Sequence, residues 1–330
     1  MKNFIVITSI NELTEAIKLF AKRKNWHVIV VGDKKSPPLN KNPKENIIFL
    51  SVDEQKNLGF KSYETCPFNH YARKNLGYLY AIQQGAETIA DTDDDNFPYK
   101  NWGEDIPNTP KTLIKTISGP KFINIYKHFT KEFIWPRGLP LDTIQDNSNL
   151  KINKATNELI AVWQGLADKD PDVDAIYRLI INKFVTFDKH DPIALKEGHY
   201  CPFNTQNTIW KIKDFFPYLY IPISVSFRFC DILKSYIAQR GFWAMGAKLA
   251  FTSASVYQDR NVHNFMKDFL DEIPCYKDVK KVVELLDTLE LQGNPKKDVI
   301  KIYKELKNIN VVDQSDVNGI QNFVSDITNF

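Results

Sequence analysis

The stretch "ETIADTDDDN", Glu87–Asn96, places Asp at 91, 93, 94 and 95 directly behind an apolar pair. Neighbouring carboxylates repel, and in a partly buried site each would have its pKa raised. A cation or full exposure to water must offset that repulsion, and the flanking sequence has to decide which.

Working outward, "NFIVITS" (Asn3–Ser9) reads as a buried strand, and Ile10, Leu13, Ile17 and Phe20 follow at helical spacing. "WHVIVVGD" (Trp26–Asp33) reads as a second strand and "NIIFLSVDEQ" (Asn46–Gln55) as a third. "YARKNLGYLYAIQQG" (Tyr71–Gly85) predicts a helix stopped by Gly85, and "AETIADT" a fourth strand. Strands alternating with helices predict an α/β fold with a mostly parallel sheet, which binds ligands at the carboxyl ends of its strands. Asp33, Ser51–Asp53 and Asp91–Asp95 all fall at such ends.

Farther on, "NELIAVWQGLADKDPDVDAIYRLI" predicts a strand, an acidic loop and a helix from about Val173. "SVSFRFCDILKSYIAQRGFWAMG" predicts a strand, an N-cap at Asp231 and a helix closing near Gly241. From about residue 266 the apolar spacing is helical. The expected organisation is one domain over 1–265, with a nucleotide-binding half to about 110 and an acceptor half from about 111. A helical extension over 266–330 would either pack back on that domain or pair with a second copy as a homo-oligomer.

Composition narrows the function classes. With 43% hydrophobic and 25% charged residues in 330, the chain can bury a sizeable core. A net charge of +3, without a basic stripe interleaved with aromatics, argues against nucleic acid. Cys66, Cys201, Cys230 and Cys275 are scattered and form no CxxC pair, which argues against a zinc ribbon and for a reducing compartment. The opening "MKNFIVITSI" lacks signal-peptide features, and no apolar run approaches the roughly 18 residues of a membrane span. The expected location is cytoplasmic, or the inner face of a membrane.

The acidic run fails as an EF-hand, because a loop starting at Asp91 has Asn96 and Trp102 where Gly and Glu are needed. "IADTD" loosely fits a phosphohydrolase with Asp91 as nucleophile, but three strand units precede it and Asp-Asp-Asn follows. A nucleotide-sugar pyrophosphorylase would need a Gly-rich basic loop after the first strand, and "TSINELTEA" has none. There remains the DxD motif of a GT-A glycosyltransferase, whose carboxylates hold Mn²⁺ or Mg²⁺ against the diphosphate of a sugar nucleotide. The leaving group of that reaction is a nucleoside diphosphate, and a divalent ion neutralises the charge that develops on it.

"WHVIVVGDKKSP", "IIFLSVDEQKNLGF", "YARKNLGYLYAIQQGAETIADTDDDN", "IWPRGLPLD", "DPDVDAIYRL", "PFNTQNTIW" and "DILKSYIAQR" resemble, in this order, blocks of the STELLO-like glycosyltransferases. The resemblance spans about residues 4–275 and leaves the C-terminal helices outside. It implies a GT-A fold, a nucleotide-sugar donor and a divalent metal. Plant members carry a membrane anchor that these residues lack, so compartment and acceptor do not carry over. The expected acceptor is a saccharide or lipid-linked glycan, in surface polysaccharide synthesis, with peripheral membrane contact through the Lys-rich stretch 111–131.

Within this frame Asp95 is the expected metal ligand and Asp93 a ligand to metal or ribose, with Asp91-Thr-Asp93 a competing pair. His263 would be a late metal ligand. Asp33 would accept from base or ribose, one of Arg73 and Lys74 would reach the diphosphate, Arg137 would bind the diphosphate or an anionic acceptor, and Arg260 would meet phosphate. Asp172 and Asp174 would compete for an acidic role near donor or acceptor, with Asp174 alternatively pairing with Arg178. Asp231 is the expected catalytic base of a single displacement, since a carboxylate at a helix start is held in place. The alternatives are the Asp91 phosphohydrolase and a scaffold that binds sugar nucleotide without turnover.

Overall fold

The computed structural model describes residues 2–37, 46–104, 106–146, 149–260 and 264–330. The chain starts as the alternation predicts: β1 (Asn3–Thr8), α1 (Glu15–Ala21), β2 (Trp26–Val31), β3 (Ile47–Leu50), α2 (Val52–Asn57), α3 (Ser62–Thr65), α4 (Lys74–Gln83) and β4 (Thr88–Thr92). β1 lies between β2 and β4, parallel to both, and β3 extends the parallel set beyond β2. Continuous Ile and Val runs suit these strands because helices cover both faces, leaving Ile5, Val6, Ile7, Val28 and Ile29 with no exposed surface. The third strand is shorter than its sequence suggests. Ser51 and Glu54 form a reciprocal capping box that starts α2 immediately after Leu50.

The second half carries β5 (Asn96–Pro98), β6 (Lys111–Ser118), α5 (Tyr126–Phe129), β7 (Lys151–Lys169), α6 (Ala175–Ile180), β8 (Ile193–Leu195), β9 (Asn207–Trp210), α7 (Cys230–Trp243) and β10 (Ala247–Gln258). Among the described residues the strands form one sheet in the order β3-β2-β1-β4-β9-β7-β6-β8-β10-β5. β9 joins the halves, antiparallel to both β4 and β7. The fold is therefore mixed α/β, with the parallel run confined to the first four strands and both pairing senses beyond β9.

Residues 224–229 are bends and turns rather than the expected strand. Their backbone is claimed elsewhere: Asp316 accepts from the Ile223 and Ser224 N–H groups, and Ser226 O from those of Phe229 and Cys230. Asp231 is consequently not the N-cap of α7 but lies inside its first turn. The helix also runs past Gly241, where a Cβ would strike the ring of Tyr218.

Three helices close the chain: α8 (Phe265–Thr288), α9 (Pro295–Asn308) and α10 (Gln314–Thr328). Their apolar faces, including Val283, Ile302 and Phe323, lie in the same core as the sheet. Buried carboxylates stitch them to it: Asp326 accepts from the Lys61 and Ser62 N–H groups, and Glu272 from that of Ala175. These faces are covered by the chain itself, so a homo-oligomer would have to use another surface. Among the described residues no helix is long and apolar enough to cross a membrane.

Candidate functional site

The turn after β4 opens on a cleft of about 450 Å³ at the carboxyl ends of the parallel strands. Asp33, Arg73, Asp93, Asp95, Arg137, Asp231 and Arg260 all line it, together with Asp94 and Asp172. Most of the residues expected from the sequence thus converge from segments spread over the whole chain.

The four carboxylates meet four different surroundings. Asp91 is fully buried, accepts from the Tyr78 hydroxyl, and sits between two buried ammonium groups, Lys74 at 3.6 Å and Lys234 at 3.8 Å. Asp94 accepts from Ser9 Oγ and from Asn11 Nδ2 at 2.9 Å. Asp95 accepts from Gln258 Nε2 at 3.1 Å on each oxygen. Asp93 accepts from the Tyr71 hydroxyl at 2.8 Å, with Lys74 at 3.8 Å. Burial pushes the Asp93 carboxyl up to about 7, with Asp95 and Asp94 adding to the rise and Lys74 and Tyr71 opposing it.

Lys74 is therefore not a cleft residue. Its Nζ donates to the Thr92 carbonyl and the Tyr71 hydroxyl at 2.9 Å each, completely buried beneath the acidic turn. Burial lowers the Lys234 pKa, and its Nζ has no hydrogen-bond partner among the described residues.

A second acidic centre surrounds Arg137. Its Nε and Nη2 donate to Asp172 at 2.8 Å each, and its Nη1 and Nη2 to Asp231 at 2.9 Å each. Gly138 makes the turn possible with φ of +89°, where a Cβ would also strike Ile232. Burial opposes ionisation of Asp172, but the Arg137 charge and hydrogen bonds outweigh it and hold that carboxyl well below the usual range.

Asp33 lines the cleft with both oxygens already engaged, by the Lys34 N–H at 2.6 Å and the Asn69 N–H at 2.7 Å. Arg73 is buried against Gln55, the Cys66 carbonyl and the rings of Tyr63 and Phe68. Arg228 and Arg260 line the cleft while their acidic partners, Glu272 at 2.7 Å and Asp268 at 3.6 Å, stand behind them on α8. Burial, with Arg228 and Arg178 nearby, brings the Arg260 pKa down to about 10.

Two expectations fail on geometry. Asp174 does not line the cleft: it is the N-cap of α6, accepting from Tyr177 N–H at 2.8 Å and Trp135 Nε1 at 2.6 Å, and burial raises its pKa to about 6. Its expected partner Arg178 pairs instead with Asp170 at 2.6 Å, because its guanidinium reaches back over the loop before the helix. His263 lies outside the described residues.

The sequence reading passed over "NTQ", Asn204–Gln206, as a site. Asn204 donates to Asp172 at 2.9 Å, Thr205 shares a 2.6 Å bond with the Tyr71 hydroxyl that holds Asp93, and Gln206 donates to Gln258 at 2.9 Å, which in turn holds Asp95. Three consecutive residues thus join the two acidic centres. The available signal was the polar run Asn204–Thr208 between Phe203 and Ile209, all of it buried.

Carboxylates facing the cleft at Asp93 and Asp95 fit a hard divalent cation, which takes one or two carboxylates and completes its coordination with phosphate oxygens and water. Among the described residues no group of three or more His, Cys, Asp or Glu side chains gathers at metal-binding distance. A cation here would draw the rest of its coordination from its ligand.

Fold and cleft together define a mixed α/β protein with an acidic, arginine-bearing cleft at its strand ends. The family model described as STELLO glycosyltransferases matches residues 228–330. "Probable glycosyltransferase STELLO2" of Arabidopsis thaliana is 31% identical over 304 residues, and "Probable glycosyltransferase STELLO1" of the same plant 29%. Each alignment covers 86% of this chain and 39% of the relative, so the chain spans well under half the length of the curated relatives it matches. A crystal structure of S. aureus TarS 1-349 in complex with UDP-GlcNAc covers 99% of this chain and 82% of that one, at 14% identity and a TM-score of 0.38. The resemblance read from the sequence is borne out, and the chain is STELLO-like. Its extent needs correcting, because the matched family region includes α8–α10, which the sequence reading had left outside.

Proposed function

We propose that the chain is a glycosyltransferase of the GT-A type that uses a divalent metal and a nucleotide-sugar donor. The observation that carries this reading is the convergence of Asp93 and Asp95 with Asp231 in one cleft at the ends of the parallel strands. Asp93 and Asp95 would hold Mn²⁺ or Mg²⁺, which when bound neutralises charge on the departing diphosphate. Arg260 would add positive charge beside it, and Asp33 would stay with its turn while bordering the base or ribose.

Asp231 is the base in this reading. The Arg137 clamp orients it; Oδ1 accepts from Arg137 Nη1 and the Ile232 N–H, while Oδ2 accepts from Arg137 Nη2 and retains a lone pair for an acceptor hydroxyl. The clamp supplies position, which suits a base in a single displacement. The acceptor would be a saccharide or lipid-linked glycan, in surface polysaccharide synthesis.

The phosphohydrolase alternative loses its nucleophile, since Asp91 has no exposed surface and is enclosed by Tyr78, Lys74 and Lys234. A binder without turnover would share the donor site and would differ in never hydrolysing the donor.

The test is thermal stability against UDP, GDP, CDP, dTDP and CMP, each with and without Mn²⁺. At about a hundred times its dissociation constant a ligand stabilises the fold by about 2.7 kcal/mol. A metal-dependent shift with one nucleotide, lost in Asp95→Ala, is expected. No shift with any of them, alongside phosphate release from simple phosphoesters, would overturn the reading.

A further inference from the structure

Large apolar side chains are exposed together beside the cleft. Residues 179–184, at the end of α6 and just beyond it, are all exposed, with Leu179 at 44%, Ile180 at 75% and Phe184 at 72%. Phe133, 54% exposed, belongs to the same surface: it packs on Trp135, Trp135 packs on Tyr177 of α6, and Glu132 bridges to Lys183 at 2.7 Å. α6 packs along α8, where Met266 and Leu270, one turn apart, are 56% and 58% exposed. Apolar groups gathered in this way mark a surface that meets something else.

The surface adjoins the cleft, because α8 also carries Glu272 and Asp268, the partners of the cleft residues Arg228 and Arg260. Charge distinguishes between occupants. Exposed Lys131 and Lys267 stand among the apolar side chains against the half-buried Asp271, and Lys183 and Glu132 offset each other as a pair. Lysine is depleted where proteins meet proteins. Apolar tips on a protruding turn with lysines between them suit an anionic bilayer, where the tips enter the headgroup boundary and the ammonium groups meet lipid phosphates.

We propose that this face, formed by the 131–135 loop, the end of α6 and the start of α8, docks on an anionic lipid bilayer and presents the cleft to an acceptor held there. The acceptor clause rests on the transferase reading, whereas the docking does not.

The experiment is vesicle flotation of the full chain, with phosphatidylcholine alone and with about a third phosphatidylglycerol. The chain should float with the anionic vesicles and lose that association in high salt. The double variant Ile180→Ser/Phe184→Ser should lower the bound fraction at least about tenfold, since two side chains leave the apolar layer. Ile152→Ser, which alters a side chain 55% exposed on β7, should change nothing. Flotation of neither vesicle, or equal flotation of the double variant, overturns the proposal. A dimer in light scattering that the double variant makes monomeric, without flotation, assigns the face to a second copy instead. The nucleotide shift with Mn²⁺, measured on the same samples, separates failure of docking from failure of the donor site.

Discussion

The acidic turn after β4 and the acidic centre around Arg137 line one cleft, yet charge is handled in opposite ways. At Arg137 a single guanidinium binds two carboxylates through four hydrogen bonds and drives Asp172 toward the ionised form. At the turn, the buried lysines serve mainly Asp91, while Asp93 is left half-buried with its pKa raised to about 7. One centre carries its own cation, which fixes both carboxylates in place. The other holds its cleft-facing carboxylates with neutral donors, Tyr71 on Asp93 and Gln258 on Asp95, with Lys74 at 3.8 Å from Asp93. The difference teaches that an acidic residue in a cleft is informative only once its counter-charges are known.

Removing the built-in cation should break the comparison most severely. Arg137→Met would leave Asp172 and Asp231 buried side by side without their shared cation. Among the described residues Asp172 would keep only Asn204, and Asp231 only the Ile232 N–H, as direct donors. Urea unfolding should show a loss of about 3–5 kcal/mol. A loss within experimental error would mean that the clamp contributes nothing to the fold.

Lys234→Met tests the support beneath the turn. Asp91 would keep Lys74 and the Tyr78 hydroxyl, so the loss should be smaller, about 2 kcal/mol. If this variant proved as destabilising as Arg137→Met, Lys234 rather than Lys74 would be the principal counter-charge.

The smallest effect sharpens the contrast through pH. The Asp93 value is raised in the folded state from 3.8 to about 7, so its contribution is fully present below about pH 4 and is lost as pH rises through about 7. Metal-free protein should therefore melt at lower temperature across that window, and Asp93→Asn should flatten the slope. Mn²⁺ added near pH 7 should restore stability to the native chain but not to the variant. The Asp172 contribution has the opposite sign: it is present above the ordinary carboxylate range and is lost only on further acidification. An unchanged slope in Asp93→Asn would place the titration elsewhere in the cleft.

Much of the first half was legible because its signals are local. The Ile and Val runs of β1 and β2, the stop at Gly85 and the carboxylates at the end of β4 each act over a few residues. Local signals also misled. Asp174 reads as a site residue in "DPDVDAIYR" but is spent as a helix cap, and Asp231 reads as a base held by capping its helix but lies inside the first turn, clamped by Arg137. Both positions admit the same residue type, and only the neighbours distinguish the uses.

The sequence by itself therefore determined the parallel α/β beginning, the acidic strand end and the STELLO-like character of the chain. Tertiary structure alone decided that Lys74 and Lys234 sit beneath Asp91, that residues 137, 172 and 231 form one ionic unit, and that Asn204–Gln206 bridges the two centres. Periodicity and capping depend on residues within a turn or two of each other. An ion pair between residues 94 positions apart depends on the whole path of the chain, which no local pattern records.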